Sequence, residues 1–122
     1  MKAVLKRLTT VEEDHLDGLE SKLPRDFSIA LTAWLGPDDA NGEEMFGFEV
    51  CTPGFRGREI DPEKLPIMGR GRMLVERFDP EVIVATIRHL IADLNGDSWH
   101  DLGTQLSRYF YWEFDGYTEE YR

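Results

Sequence analysis

The feature that most constrains the fold is an alternating stretch in the middle of the chain. Phe46, Phe48 and Val50 recur at every second position, which is the period of a β-strand with one buried face. Aromatic and β-branched residues suit such a half-buried, pleated surface. Pro53 ends the run, because proline has no N–H to donate to a neighbouring strand. The pattern therefore predicts a sheet strand over residues 44–51.

A second alternating stretch predicts the neighbour of this strand. Phe27, Ile29 and Leu31 alternate with the residues between them over 27–35, again at the period of a strand. Residues 36–42 then contain glycine, proline, aspartate and asparagine, the residue types that form turns. The two stretches together predict an antiparallel hairpin with a long, acidic tip.

The N-terminal residues predict an edge strand followed by a short helix or turn. A strand is expected over residues 3–9, and charged side chains there discourage an edge from pairing with other chains. The charges concerned are Lys2, Lys6 and Arg7. After this strand, Thr10 and Glu13 have the spacing of a helix capping box. A short helix or turn is therefore expected over residues 12–20.

Two helices are predicted in the C-terminal third of the chain. Asp79 followed by Pro80 is typical of a helix start, because aspartate caps the first N–H groups and proline lacks one. One apolar stripe then repeats at helical spacing: Ile83, Ile87, Leu90, Ile91 and Leu94. Gly96 is expected to end this helix in the left-handed conformation. Ser98 and Asp101 have capping-box spacing and predict a second helix.

The remaining segments complete the assignment of a fold class. Residues 54–71 are rich in glycine and proline, and they predict an irregular excursion with one helical turn at 62–65. Further strands are predicted over 73–78 and 111–115. Because strands come first and helices last, we assign the chain to the α+β class. The expected architecture is an antiparallel sheet of four to five strands with two C-terminal helices packed on one face, in a single domain spanning residues 1–122.

The charge of the chain restricts the partners it can bind. The net charge is −10, whereas binding to nucleic acid or an anionic membrane requires local positive charge. We therefore expect neither partner. Acidic surfaces keep small proteins apart in solution, and they also steer basic proteins into contact, so both interpretations stay open. The charge changes sign over residues 56–77, which hold six basic and four acidic residues.

No residue pattern indicates a transmembrane, secreted or catalytic protein. No apolar run approaches the roughly 20 residues that span a bilayer, and the charged start does not have the form of a signal peptide. The lone Cys51 precludes an internal disulfide and is interpreted as a small buried residue. The scattered histidines, His15, His89 and His100, lack metal-ligand spacing and are expected at the surface. We therefore expect a cytoplasmic protein that is not an enzyme and has no cofactor and no metal.

The residues that suggest a function are acidic and aromatic side chains at the surface. They are expected on the hairpin tip and in the C-terminal tail, where aromatic anchors beside steering charges are typical of a protein-binding patch. The candidate partner-binding residues are Asp38, Asp39, Glu43, Glu44, Tyr117, Glu119, Glu120 and Tyr121. Trp112 and Phe114 fit either this patch or the core, and the sequence leaves that choice open.

Four stretches of the chain form a pattern in a fixed order: residues 4–8, the strand that begins at Phe27, the motif of residues 46–53 (Phe-Gly-Phe-Glu-Val-Cys-Thr-Pro) and the closing Trp-Glu-Phe at 112–114. Together they resemble the Immunity protein 8 family of bacterial polymorphic-toxin systems. Residues 54–71 match least well. The resemblance implies a small α+β cytosolic protein without enzymatic activity, and it transfers no contact residues.

What the resemblance implies about function is the neutralisation of a toxin. Family members are expected to bind a toxin domain encoded beside them and so to protect the producing cell. If the toxin is a nuclease, its basic cleft is a target for an acidic inhibitor. Two alternatives stay open: a general cytoplasmic adaptor with no toxin partner, and a small enzyme that uses the Cys51 thiol or a histidine.

Overall fold

The structure is a computed structural model that describes residues 1–10, 15–57 and 60–114. The strands are β1 (Ala3–Thr10), β2 (Ser28–Pro37), β3 (Glu44–Cys51), β4 (Ile67–Gly69), β5 (Arg72–Leu74) and β6 (Tyr111–Trp112). The α-helices are α1 (Leu19–Lys22), α2 (Pro80–Ala92) and α3 (Trp99–Leu106), and short 3₁₀ helices lie at Pro53–Arg56 and Pro62–Lys64. The predicted α+β class is confirmed.

The sheet is mixed, so the expectation of a purely antiparallel sheet is wrong. The strands are ordered β1-β2-β3-β5-β4, and β6 also pairs with β3. β1, β2 and β3 are antiparallel neighbours, whereas β5 lies parallel to β3. A parallel pair requires a crossover of a dozen or more residues. The excursion over residues 54–71 provides that crossover, because it brings the chain back to a point at which Arg72 lies opposite Glu49 and Leu74 lies opposite Cys51.

The predicted hairpin of β2 and β3 is confirmed, and its register separates two faces of the sheet. Leu31 lies opposite Phe48 and Ala33 lies opposite Phe46, whereas Trp34 lies opposite Met45. Successive side chains of a strand point to opposite faces. The first two pairs are buried, at 0–3% exposure, while Met45 is 40% exposed. One face of the sheet therefore belongs to the core and the other faces away from it.

The core forms between the buried sheet face and residues of the helices. Its largest fully buried side chains include Phe46, Phe78, Phe110, Leu31, Leu35, Met73, Ile83, Ile87, Leu102 and Leu106. α3 lies against the buried face, because Phe46 of β3 contacts the Trp99 ring edge-on at 6.2 Å between ring centroids. α2 contributes Ile83, Ile87 and Ile91 to the same core. The packing of both helices on one face stays a prediction.

Both C-terminal helices begin where the sequence predicts, but α2 ends earlier than expected. Asp79 accepts hydrogen bonds from the N–H groups of Glu81 and Val82 at 3.1 and 3.4 Å, and Ser98 accepts one from Asp101 at 3.1 Å. α2 ends at Ala92. The left-handed exit expected at Gly96 is wrong. Gly96 instead packs closely against Leu102, and its N–H donates to the carbonyl of Met1 at 3.1 Å.

Two shorter elements also differ from their predicted bounds. The strand predicted over 73–78 is confined to β5, because Glu76 and Arg77 are exposed and turn the chain towards α2. In the described part of the stretch predicted as a short helix or turn over 12–20, a turn leads into α1, which begins after Gly18 at a φ of 74° and continues to Lys22. Its proposed capping residue Glu13 lies outside the described residues.

Candidate partner-binding surface

The sheet face that points away from the core is accessible and carries large side chains. We call it the open face, and its accessible strand residues include Arg7, Ala30, Thr32, Trp34, Met45, Gly47, Glu49, Arg72 and Tyr111. Tyr111 is 61% exposed and Met45 is 40% exposed. A group of large apolar side chains exposed on one face often marks a surface that binds another molecule, whereas a single exposed apolar side chain does not.

A cation–aromatic pair occupies one end of the open face, where β1 meets β2. The Arg7 guanidinium lies 4.0 Å from the centroid of the Trp34 ring. The indole N–H of Trp34 donates to the Thr9 hydroxyl at 3.0 Å, which fixes the plane of the ring. Arg7 also forms an ion pair with Glu43 at 2.7 Å. This end is therefore an ordered aromatic platform rather than a loose cluster of charges.

The centre of the open face is formed by Tyr111 and two glycines. Tyr111 lies directly opposite Gly47 in the pairing of β6 with β3. Gly71 has a φ of 72°, and a Cβ there would lie 2.1 Å from Cε2 of the tyrosine ring. Only glycine allows this approach and this backbone conformation together. The Tyr111 ring thus packs directly on the backbone at Gly71. The Arg70 guanidinium lies 5.8 Å from the centroid of this ring.

A carboxylate with three hydrogen-bond donors occupies the other end of the open face. Glu49 accepts from Arg72 Nε at 2.8 Å, from Arg56 Nη2 at 2.5 Å and from the Ser28 hydroxyl. Burial opposes ionisation of this group, but the bonds from Ser28, Arg72 and Arg56 outweigh it and lower the pKa of Glu49 to about 2. The carboxylate therefore stays ionised and holds both guanidinium groups at the surface.

Replacing Glu49 by glutamine is expected to destabilise the protein in a pH-dependent way. A lowered folded-state pKa contributes stability that is complete above the ordinary value of 4.5 and is lost as the pH falls towards 2. Because the side chain is 28% exposed, we discount the full linkage value and expect a loss of about 1.5 kcal/mol at neutral pH. Urea unfolding of Glu49→Gln and wild type at several pH values measures this loss.

The matched control for this prediction is Glu43→Gln. It removes one carboxylate that pairs with a single arginine, and the expected loss is below about 1 kcal/mol. The difference between wild type and Glu49→Gln should shrink as the pH falls below 4.5. A difference that stayed constant across this pH range would contradict the assignment of the stabilisation to the ionised carboxylate.

The four hairpin acids of the predicted patch occupy different environments. Asp38 and Asp39 are exposed, and Asp38 also accepts a hydrogen bond from the Lys2 N–H at 3.1 Å. Glu43 is half-buried beside Arg7, and Glu44 accepts a hydrogen bond from the indole N–H of Trp99. The structure thus brings Glu43 to the margin of the open face and gives Glu44 a contact that links β3 to α3.

The tail residues of the predicted patch lie outside the described residues. These are Tyr117, Glu119, Glu120 and Tyr121. Trp112, for which the sequence left two options, belongs to the core: it is 5% exposed and stacks on Phe46 at 5.8 Å with an interplanar angle of 6°. Phe114 is half-buried and contacts the Trp112 ring edge-on at 6.0 Å. The aromatic residues of the open face, Trp34 and Tyr111, were not among the predicted contacts.

The described residues show no clustered side chains of the kind that bind metal ions. No group of three or more histidine, cysteine or carboxylate side chains gathers among them. Cys51 is fully buried, as the sequence predicts, and this burial raises the pKa of its thiol. His15 and His89 are exposed, whereas His100 is half-buried at 5.6 Å from the Trp112 ring. Within the described ranges, no helix has the length and apolar content needed to cross a bilayer.

The fold and the open face define a small α+β domain with a sheet surface accessible to another protein. Comparison with known families agrees with the resemblance seen in the sequence. The family model of Immunity protein 8 (Imm8) matches residues 3–117, nearly the whole chain, and the chain therefore belongs to this family. Comparison with curated proteins and with solved structures found no match. The family name implies an immunity protein for a toxin.

Proposed function

We propose that this protein is a non-catalytic immunity protein of a polymorphic-toxin system, which neutralises its cognate toxin by stoichiometric binding. It acts in the cytoplasm of the cell that makes the toxin and protects that cell from it. The observation that carries this proposal, beside the family membership, is the exposure of Met45 and Tyr111 on an ordered sheet face. Such residues act as the buried anchors of tight protein complexes.

Affinity and association rate place separate demands on the surface of such an inhibitor. Nanomolar binding corresponds to about −12 kcal/mol, which requires anchors that become fully buried in the complex. A net charge of −10 adds long-range steering towards a basic partner. Nucleases have basic clefts because they bind phosphates. A nuclease toxin therefore fits the charge of this chain, with the acidic hairpin tip as the part that approaches the cleft.

The test of the proposed function is co-expression with the toxin encoded by the adjacent gene. Cells that express the toxin alone should stop growing, and cells that also express this protein should grow. The two proteins should co-purify in equal amounts. Growth arrest despite co-expression, without a complex, would favour the alternative of a general adaptor that has no toxin partner.

The hairpin acids are expected to accelerate association with the toxin. The variant Asp38→Asn, Asp39→Asn removes two exposed negative charges and keeps an acceptor for the Lys2 N–H. Because steering acts on the encounter, the association rate at low salt should fall about 3- to 10-fold while the dissociation rate changes little. Stopped-flow or surface-based kinetics with a catalytically inactive toxin measures both rates.

The matched control removes the same charge from the opposite part of the chain. Asp17→Asn, Glu20→Gln also neutralises two exposed acids, in the segment that joins the other end of β1 to the start of β2. β1 begins beside the hairpin tip, where Ala3 pairs with Pro37, and ends at Thr10, opposite Leu31. This control should slow association less than about twofold. Equal association rates for the two double variants would remove the hairpin tip from the binding surface and leave only the effect of total charge.

A further inference from the structure

We infer that the cognate toxin docks on the open face of the sheet and buries Tyr111 and Met45 at the centre of the interface. This inference rests on the proposed function and assigns the docking surface: its centre is the open face, which the sequence did not suggest, and the acidic hairpin tip forms one end of it. The toxin surface that fits is apolar at its centre, with a carboxylate group at one end and a basic group at the other.

The apolar centre follows from the side chains that the sheet leaves exposed. Tyr111, at 61%, is the most exposed large hydrophobic residue among those described, and Met45 is 40% exposed. Gly47 lies opposite Tyr111 and two residues from Met45 on the same face of β3, and it adds no side chain between the two. A tyrosine held against the Gly71 backbone loses little rotamer entropy on binding. This combination is typical of a binding anchor.

The charges around this centre differ between its two ends. The basic end holds Arg56 and Arg72, which both pair with Glu49. Arg70 adds a third guanidinium beside the Tyr111 ring. Glu49 engages one nitrogen each of Arg56 and Arg72, and a guanidinium has five N–H donors. Arg56 also forms a hydrogen bond with Cys51. Within the described part of the chain, further N–H donors of these two groups therefore remain for a carboxylate of the partner. At the other end, Glu43 and the exposed Asp38 and Asp39 suit a basic group.

The dimensions of the face fit a complete interface. The five-strand path spans about 19 Å across the strands, since neighbouring strands lie about 4.8 Å apart. The eight residues of β3 extend about 26 Å along it. The projected area of the face is on the order of 500 Å². Because side chains project from it, its accessible surface is larger and approaches the roughly 800 Å² that each partner buries in a standard complex. A second copy of this chain is a poorer occupant, because two chains of charge −10 repel.

The test measures the affinity of open-face variants for the catalytically inactive toxin. The variant Tyr111→Ala, Met45→Ala should weaken binding by about 30-fold or more, mainly through faster dissociation. Arg70→Glu should weaken it about 10-fold, since it opposes the partner's carboxylate. The controls lie on α2: Val82→Ala truncates a side chain that is 41% exposed, and Arg88→Glu reverses an exposed charge. Both controls should bind within about twofold of wild type.

The outcomes separate this inference from the proposed function. If wild type protects cells and binds the toxin, while the open-face variants bind as tightly as the α2 controls, the docking surface is wrong and the function stands. If wild type neither binds nor protects, the proposed function itself is wrong. A third outcome is that wild type sediments as a dimer, whereas the double variant Tyr111→Ala, Met45→Ala is a monomer and binds the toxin as tightly as wild type. This outcome would assign the open face to a second copy and overturn the inference. Circular dichroism confirms that each variant is folded.

Discussion

Replacing Phe46 by alanine should lower the free energy of unfolding by about 4 kcal/mol, the largest effect we expect from one side chain. Phe46 is fully buried and joins three parts of the fold. Its ring stacks on Trp112 of β6 at 5.8 Å and contacts Trp99 of α3 at 6.2 Å and Phe110 at 6.3 Å. Truncation at this position removes contacts with all three rings and leaves a cavity that rigid neighbours fill poorly.

The matched control is Phe55→Ala, which makes the same chemical change at an exposed position. Phe55 is 51% exposed in the 3₁₀ segment after β3, so the expected loss is below about 1 kcal/mol. Urea unfolding followed by circular dichroism gives both values. Because small domains are stable by only about 5–15 kcal/mol, Phe46→Ala should also be the variant most prone to proteolysis. Equal losses at the two positions would contradict the central role of the ring cluster.

The elements that could be predicted from the sequence are those encoded by local periodicity and capping. The period of two at Phe46, Phe48 and Val50 predicted β3 and its buried face, because alternation depends only on neighbouring residues. The starts of α2 and α3 followed from Asp79 and Ser98 for the same reason.

The parallel pairing of β5 could not be predicted in this way. Arg72–Leu74 is three residues long, too short for a pattern. Its register with Glu49 depends on how the excursion over 54–71 is folded. Pairing between distant segments is a tertiary outcome, and the same holds for the end of α2, where close packing of Gly96 against Leu102 replaced the expected left-handed exit.

The candidate site shows the same division between local and distant information. Trp34 already alternates with buried residues of β2, so its position on the outer face was readable from the sequence. The acids were more conspicuous because the net charge is −10. In contrast, Glu49, Arg56 and Arg72 come from three separate segments. Only the fold brings a nitrogen of each arginine within 2.8 Å of the Glu49 carboxylate. The excess of basic residues over 56–77 was the one available signal of this cluster.

Replacing Gly103 by alanine should destabilise the protein by about 3 kcal/mol, although helix propensity alone predicts the opposite sign. Alanine in a helix interior is favoured over glycine by about 1 kcal/mol, and Gly103 lies inside α3. However, a Cβ at Gly103 would lie 2.4–2.6 Å from three carbons of the Trp112 ring. That ring is fixed by stacking on Phe46 and by the edge contact with Phe114. Since the ring cannot swing aside, α3 has to shift, and such overpacking costs more than propensity gains.

A double-mutant cycle tests whether the clash with Trp112 is the cause. Trp112→Phe makes room for the new methyl group, and the buried Trp112 N–H has no partner among the described residues, so no hydrogen bond is lost. Gly103→Ala should therefore cost at least about 1.5 kcal/mol less in the Trp112→Phe background than in wild type. The control Gly69→Ala adds a Cβ whose nearest contact is an ordinary 3.9 Å, and it should change stability by less than about 0.5 kcal/mol. If the losses of stability from Gly103→Ala and Trp112→Phe simply added, the clash with the Trp112 ring would not be the cause of the destabilisation.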